Sequence, residues 1–321
     1  MRIVLLDSFT TDQGDPDGFW EPLRRLGEVT AYPRTAAADV VARCQGATVV
    51  LTNKVVLGAR ELSALPELRY VGVLATGTNV VDVRAARAAG IAVTNVPGYA
   101  VDAVAQLVFA FILAFTHDVA GHNAAAKAGA WAKSADFCFF LQPLTELAGK
   151  HLALVGSGMI GGAVARIAEA FGMHVVRSAV PGSPTRAGRV ALEAALPAAD
   201  VVSLHCPLTE ATRALVDARF LAAMKPTAIL INTGRGGLVD EAALVAALAA
   251  GRLRGVGLDV LSAEPPPADH ALTNPAAPWA ARVMVTPHLG WGTGEARLRL
   301  AGVVLENVVA WLGGRSQNRV V

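Results

Sequence analysis

Three side chains stand where chemistry is easiest to build: Arg235 in INTGRGGLVD, Glu264 in GLDVLSAEPP and His288 in VTPHLGWGT. Each follows a short run of Val, Ile and Leu that reads as a β-strand, and ligands of open α/β sheets bind at the carboxyl ends of strands. A guanidinium offers parallel N–H donors to a carboxylate, an imidazole titrates near neutral pH, and a carboxylate beside it stabilises the imidazolium. As a set they suit one reaction: gripping the carboxylate of a 2-oxo acid and protonating its carbonyl oxygen as hydride reaches the neighbouring carbon. Singly, each has an ordinary explanation. Arg235 fits a helix-end or phosphate contact, Glu264 a solvated loop residue before Pro265, and His288 a turn residue after Pro287. Their shared placement after successive strands favours the chemical explanation.

Hydride chemistry needs a carrier, and residues 151–162, HLALVGSGMIGG, offer a seat for one. Gly156, Gly158 and Gly161 form G-x-G-x-x-G after an apolar strand and before a helix expected over Ala163 to Phe171, with Ser157, Met159 and Ile160 between the glycines. Gly156 permits the tight turn, Gly158 lets backbone approach a pyrophosphate, Gly161 lets helix and strand pack closely, and the helix N-terminus supplies N–H donors. A glycine turn that binds nothing is the competing explanation, and the strand–turn–helix context argues against it. An acidic residue for the adenosine ribose is expected at the end of MHVVRSAV, but that position is Ala179, flanked by Arg177, Ser178 and Val180, with Arg186 and Arg189 beyond. Losing the carboxylate removes repulsion against a 2′-phosphate, so NADP is favoured over NAD. Alternatively the arginines are solvated and NAD binds.

These residues must be carried by elements. Strands are expected at Arg2 to Leu6, Val29 to Ala31, Thr48 to Leu51, Tyr70 to Leu74 and Ala92 to Thr94, with helices such as Glu61 to Leu65 and Val81 to Ala89 between them. A long helix from Asp102 to Asn123 and a loop-rich stretch lead to a second series: Leu152 to Val155, His174 to Val176, Val201 to Leu204, Ile229 to Asn232, Gly255 to Leu258 and Val283 to Thr286. Apolar runs alternating with alanine-rich helices indicate parallel strands buried on both faces. The fold class is therefore α/β, with two Rossmann-like domains. One, flavodoxin-like and substrate-binding, comprises residues 1–98 plus 290–321, because the last helix, Thr293 to Leu312, returns to it; the other, residues 99–289, binds the dinucleotide. The active site is expected in the cleft between them.

Composition narrows the partners. With 28 Lys+Arg against 26 Asp+Glu the formal charge is +2, too weak a field to suggest nucleic acid or an anionic membrane. The expected partner is a small molecule. Cys44, Cys138 and Cys206 are odd in number and far apart, suggesting neither a disulfide framework nor a metal site. MRIVLLDSFT lacks the apolar core of a signal peptide, and the most apolar stretch, Ala103 to Phe115, falls short of a membrane span. A cytoplasmic protein is expected.

The segments GSGMIG, LHCPLT, MKPTAILINTGRGGLVDEAAL, GLDVLSAEPP and TPHLGW resemble the D-isomer-specific 2-hydroxyacid dehydrogenases, in the same order and over essentially the whole chain. LTNKV, ATGTNVVD, VTNVPGYAVDAVAQ, DFCFF and WGTGEAR resemble the glycerate dehydrogenase (hydroxypyruvate reductase) branch of that family. The resemblance implies that Arg235 binds the substrate carboxylate, His288 is the acid/base, and Glu264 orients it. It implies further substrate contacts at Thr76 and Gly77, with Asn53 and Asn79 nearby. For the cofactor it implies Met159 and Ile160 along the pyrophosphate and Ser178 and Ala179 beside the ribose. Cys206, Pro207 and Thr212 would lie near the adenine, and Thr233, Gly234 and Asp259 near the nicotinamide, which Arg235 and His288 also approach. His205 either contacts the cofactor or simply closes a strand. Trp131, Phe137, Phe139 and Phe140 either shape a neighbouring subunit's pocket or form the core of a homodimer interface, and the latter is favoured.

The expected activity is NAD(P)-dependent reduction of hydroxypyruvate or glyoxylate to D-glycerate or glycolate. A D-lactate-type or phosphoglycerate-type dehydrogenase is the alternative within the family. A nucleotide-sensing binding protein, like the C-terminal-binding corepressors that share this fold and triad, is the alternative outside catalysis; such proteins carry disordered tails, and this chain ends just after its final helix.

Overall fold

The computed structural model describes residues 1–184 and 187–321, so Arg186 lies outside the described residues. The chain divides into two compact α/β units, residues 1–100 with 291–321, and residues 101–290.

In the first unit, strands β1 (Arg2–Leu5), β2 (Glu28–Ala31), β3 (Val49–Thr52), β4 (Tyr70–Val73) and β5 (Ala92–Thr94) form a parallel sheet in the order β2-β1-β3-β4-β5. Every residue of β3 and β4 is buried, which is why both read as unbroken apolar runs. The helix Gly294–Leu312 belongs to this unit. Its Trp311 ring lies 5.0 Å from that of Tyr70, and Asn307 Nδ2 donates to Asn95 O (2.9 Å). The last residues then run antiparallel along β5, where Val320 N–H donates to Val93 O (2.7 Å).

In the second unit, β6 (His151–Val155), β7 (His174–Ser178), β8 (Val201–Leu204), β9 (Ile229–Asn232), β10 (Gly255–Leu258) and β11 (Val283–Val285) form a parallel sheet in the order β11-β10-β9-β8-β6-β7. The strand order reverses between β6 and β8, the switch point at which such sheets open a crevice. Both domains are thus parallel-sheet α/β structures, as the alternation of apolar runs and alanine-rich segments predicts.

Two boundaries differ from expectation. The single helix expected over Asp102 to Asn123 is a pair, Val101–His117 and Val119–Lys127, bent by 52°. Asp118 adopts a left-handed conformation (φ 44°) and its carboxylate accepts from Gly121 N–H, so a side-chain cap interrupts the helix. The helix expected from Ala163 begins instead at Met159, directly on Gly158, which places Met159 and Ile160 in its first turn. No single helix among the described residues is long and apolar enough to cross a membrane.

β10 owes its position to two glycines. A Cβ on Gly255 would lie 2.6 Å from Phe115 Cγ, and one on Gly257 would lie 2.7 Å from Phe111 Cγ. The helix Val101–His117 therefore packs its aromatic rings directly on the strand backbone, while Val256 and Leu258 fill the opposite core. Gly257→Val should destabilise the fold by about 1–3 kcal/mol through overpacking, read as a lower urea midpoint with unchanged slope; an unshifted midpoint would show that the rings yield freely.

Candidate active site

Arg235, Glu264 and His288 follow β9, β10 and β11, three neighbouring strands of the second sheet. Asn232, wholly buried at the end of β9, shapes the first loop. Its Oδ1 accepts from Gly234 N–H (3.0 Å) and its Nδ2 donates to Arg235 O (2.9 Å). This clamp turns the chain so that the Arg235 side chain is exposed, with Nη1 donating to Gly234 O (2.8 Å). Sequence reasoning missed Asn232; a polar residue closing an apolar strand was its only signal.

The His288 turn is held from β10. Asp259, 2% exposed, accepts at Oδ1 from the Thr286 hydroxyl (2.6 Å) and Leu289 N–H (2.9 Å), and at Oδ2 from Gly290 N–H (2.9 Å). Its carbonyl accepts from His288 N–H (2.9 Å). The Asp259 side chain, expected near the nicotinamide, is bonded throughout to the turn that carries His288. His288 is left-handed (φ 51°), a conformation costing roughly 1–2 kcal/mol for a residue with a side chain, which these four bonds offset.

The imidazole then meets Glu264, whose Oε1 accepts from Leu261 N–H (3.1 Å) and whose Oε2 lies 2.6 Å from His288 Nδ1. An ionised carboxylate only accepts, so Nδ1 carries the hydrogen and Nε2 is left to exchange a proton with a ligand. A cavity of about 720 Å³ opens beside the pair, lined by Leu261, Leu272, Val283 and Val285 as well as by Glu264 and His288.

The glycine turn has the form a dinucleotide needs. Gly156 has φ 98°, and a Cβ there would lie 2.6 Å from the His205 carbonyl; one on Gly161 would strike Gly156 O; Gly158 faces open space. The helix Met159–Ala170 starts on Gly158 with no side-chain cap, leaving its first-turn N–H groups for an anion. Thr233 Oγ1 is shut off from solvent and has no hydrogen-bond partner among the described residues, an orphan that a ligand group beside it would satisfy. The residues present therefore fit a dinucleotide. Met159 is exposed in the first turn, Ile160 packs into the core, and Ser157 Oγ accepts from Arg189 Nη2 (2.9 Å), bringing a guanidinium to the turn. Ala179 is half-buried, with its N–H given to Val190 O (2.7 Å).

Other expected cofactor side chains turn inward. Ser178 is fully buried and donates to Leu154 O (3.2 Å); Cys206 sits in the core; Thr212 donates to Pro207 O (2.7 Å) and so staples the loop that exposes Pro207. Polar residues near a strand end satisfy backbone first, which sequence spacing does not reveal. His205 does close β8: its ring Nε2 lies 2.9 Å from Ser203 Oγ, and its backbone supports Gly156.

Of the expected substrate residues in the first unit, Asn53 is buried and donates from Nδ2 to Thr10 Oγ1 (3.1 Å). Asp7 seats that turn by accepting from Asn53 N–H (2.8 Å) and Lys54 N–H (2.6 Å); burial raises its pKa above the usual carboxylate value despite these bonds. The Thr76 hydroxyl donates to Val96 O (2.9 Å) and Thr76 O accepts from Asn95 Nδ2 (2.7 Å), pinning the backbone that continues into Gly77 after β4. Asn79 is exposed.

A parallel sheet with a dinucleotide turn at one strand end and an Arg/Glu/His set at three others defines a pyridine-nucleotide oxidoreductase. The chain belongs to the D-isomer specific 2-hydroxyacid dehydrogenases: the family's NAD binding domain matches residues 109–290. It is similar to the hydroxypyruvate reductase of Blautia hydrogenotrophica, 38% identical and covering 100% of this chain and 99% of that one. The glycerate dehydrogenase of Methylorubrum extorquens is 41% identical over 88% of each chain. Among solved structures, the NADPH-dependent glyoxylate/hydroxypyruvate reductase of Sinorhizobium meliloti in complex with NADP and malonate aligns with a TM-score of 0.82 at 30% identity, over 100% of this chain and 96% of that one.

Burial pushes the His205 pKa down from 6.5 to about 4. The folded protein thus refuses a proton that the unfolded chain accepts, so stability is unaffected above pH 6.5, falls as pH drops from 6.5 to about 4, and levels below. In His205→Asn the urea midpoint should decline less steeply than in the wild type across that window; parallel curves would contradict the assignment.

Proposed function

We propose that this chain reduces a small 2-oxo acid, hydroxypyruvate or glyoxylate, to the D-2-hydroxy acid, with NADPH preferred over NADH. The observation that carries the reading is the 2.6 Å bond from His288 Nδ1–H to Glu264, which fixes the ring and reserves Nε2 for the substrate oxygen. Arg235 grips the substrate carboxylate by a bidentate pair. As C2 receives hydride, Nε2–H donates its proton to the carbonyl oxygen, and Glu264 stabilises the charge the ring carried beforehand. The hydride comes from the reduced nicotinamide when that is bound. Thr76 and Gly77 offer further substrate contacts at a strand end of the first unit, with Asn79 nearby. Arg189, held at Ser157, and the missing carboxylate at Ala179 support the 2′-phosphate. The similar hydroxypyruvate reductase and glyoxylate/hydroxypyruvate reductase support this choice of substrates. A reducing compartment, the cytoplasm, suits its three free thiols.

Oxidation of NADPH and NADH at 340 nm, assayed against glyoxylate, hydroxypyruvate and pyruvate, tests the reading. His288→Gln should lower kcat by roughly 10²–10⁴, and Arg189→Ala should weaken NADPH about tenfold or more while sparing NADH. Absence of turnover with every 2-oxo acid sinks the proposal.

A homodimer completes the reading. Trp131, Phe137, Phe140, Leu141 and Leu144 cluster in one stretch of the second unit and are 44–89% exposed, more apolar surface than a lone chain usually leaves to water. Light scattering should give twice the 33.1 kDa chain mass, and Phe137→Ser with Phe140→Ser should return it to one; a wild type already at one chain mass overturns the dimer.

A further inference from the structure

The segment that carries Glu264 is held by a second glutamate–histidine pair. Glu241, the first residue of the helix Glu241–Ala249, accepts at Oε1 from Ser262 N–H (2.8 Å). Its Oε2 accepts from the Ser262 hydroxyl (2.8 Å) and from His270 Nε2–H (3.0 Å). This pair is better shielded than the one beside the cavity: side-chain exposure is 12% for His270 and 18% for Glu241, against 27% for His288 and 36% for Glu264. One carboxylate thus grips the chain two residues before Glu264 and again six residues after it.

The grip reaches the reacting groups by short paths. Leu261 N–H anchors Glu264 Oε1, so a shift of Ser262 moves both the anchor and the side chain that presses on His288. Gly236, next to Arg235, abuts the Leu261–Ser262 backbone so closely that a Cβ there would fall on it. Five residues further along, Glu241 ties that same loop to Ser262. The Arg235 and Glu264 loops are therefore tied to each other through one side chain, whose hydrogen bonds go to Ser262 and His270.

We propose that Glu241 is a positioning residue that seats Glu264 against His288, with Ser262 and His270 as its two grips. The kinetic part rests on the dehydrogenase reading above; the structural part does not. In Glu241→Ala, kcat for hydroxypyruvate should fall on the order of 10²-fold, as expected when a catalytic group is misplaced by about 1 Å, while the KM for NADPH stays within about threefold. The downfield proton resonance of His288 Nδ1–H, assigned by its loss in His288→Gln, should vanish or move upfield. Glu241→Gln keeps one acceptor oxygen for Ser262 and should restore the resonance and most of kcat. If Glu241→Ala fails to fold, Ser262→Ala with His270→Ala removes both bonds to Glu241 Oε2, keeps the residue-262 N–H bond to Oε1 and the helix start, and should move kcat and the resonance in the same direction by a smaller amount. Retention of an unshifted resonance in folded Glu241→Ala, or in the folded Ser262→Ala/His270→Ala variant, overturns the proposal, whether or not kcat falls. A wild type that turns over no 2-oxo acid defeats the dehydrogenase reading alone, since the resonance still decides the clamp.

Discussion

The buried carboxylate of Asp259 is the constraint on which the site depends. A left-handed histidine is not a conformation that a local sequence prefers, and the bond within VTPHLGW from His288 N–H to Thr286 O (2.9 Å) is reinforced from outside the segment by Asp259. Three donors from the turn converge on one side chain, and the His288 N–H is taken by the carbonyl of the same residue. Gly290 must be glycine here, because a Cβ would lie 2.9 Å from Asp259 Oδ2. Since Asp259 leaves β10 directly, the ring inherits the rigidity of the sheet, and a proton donor needs that rigidity to meet a carbonyl oxygen within hydrogen-bond reach.

The same logic recurs one strand over. Asn232 at the end of β9 bends the chain at Gly234 and presents Arg235, and its carbonyl accepts the N–H of Asp259 (2.9 Å). Two polar residues, both unreachable by solvent, thus convert adjacent strand ends into adjacent loops of fixed shape. Buried polar groups are expensive unless fully bonded, and both meet that condition by satisfying loop backbone. The glycine turn uses the opposite device: Gly156 and Gly161 remove side chains where backbone must pass, and Gly158 leaves the space a phosphate would fill.

Membership of the 2-hydroxyacid dehydrogenases accounts for this economy. Arg235, Glu264, His288 and the glycine turn all lie on the carboxyl edge of the second sheet, where ligands of such sheets bind. Less regular features lie around this frame, such as Arg189 bonded to Ser157 and the cavity beside Glu264.

Much was legible in the linear chain. Apolar runs bounded by turns marked the eleven strands of the described residues to within a residue or two, and most cleanly the central ones, because a parallel strand buried on both faces has no polar alternation to blur it. The glycine spacing marked the phosphate turn, and Arg235, Glu264 and His288 stood out because each follows such a run. The sequence by itself thus determined which residue types stand at which strand ends. It did not reveal that Asp118 breaks a helix, that Asp259, Ser178 and Thr212 spend polar atoms on backbone and Asn53 on the Thr10 hydroxyl, or that Glu241 and His270 form a second pair. Those outcomes belong to tertiary structure, because a polar side chain bonds whichever unsatisfied group lies nearest in space, and residues 29 positions apart become neighbours only when the sheet brings their loops together.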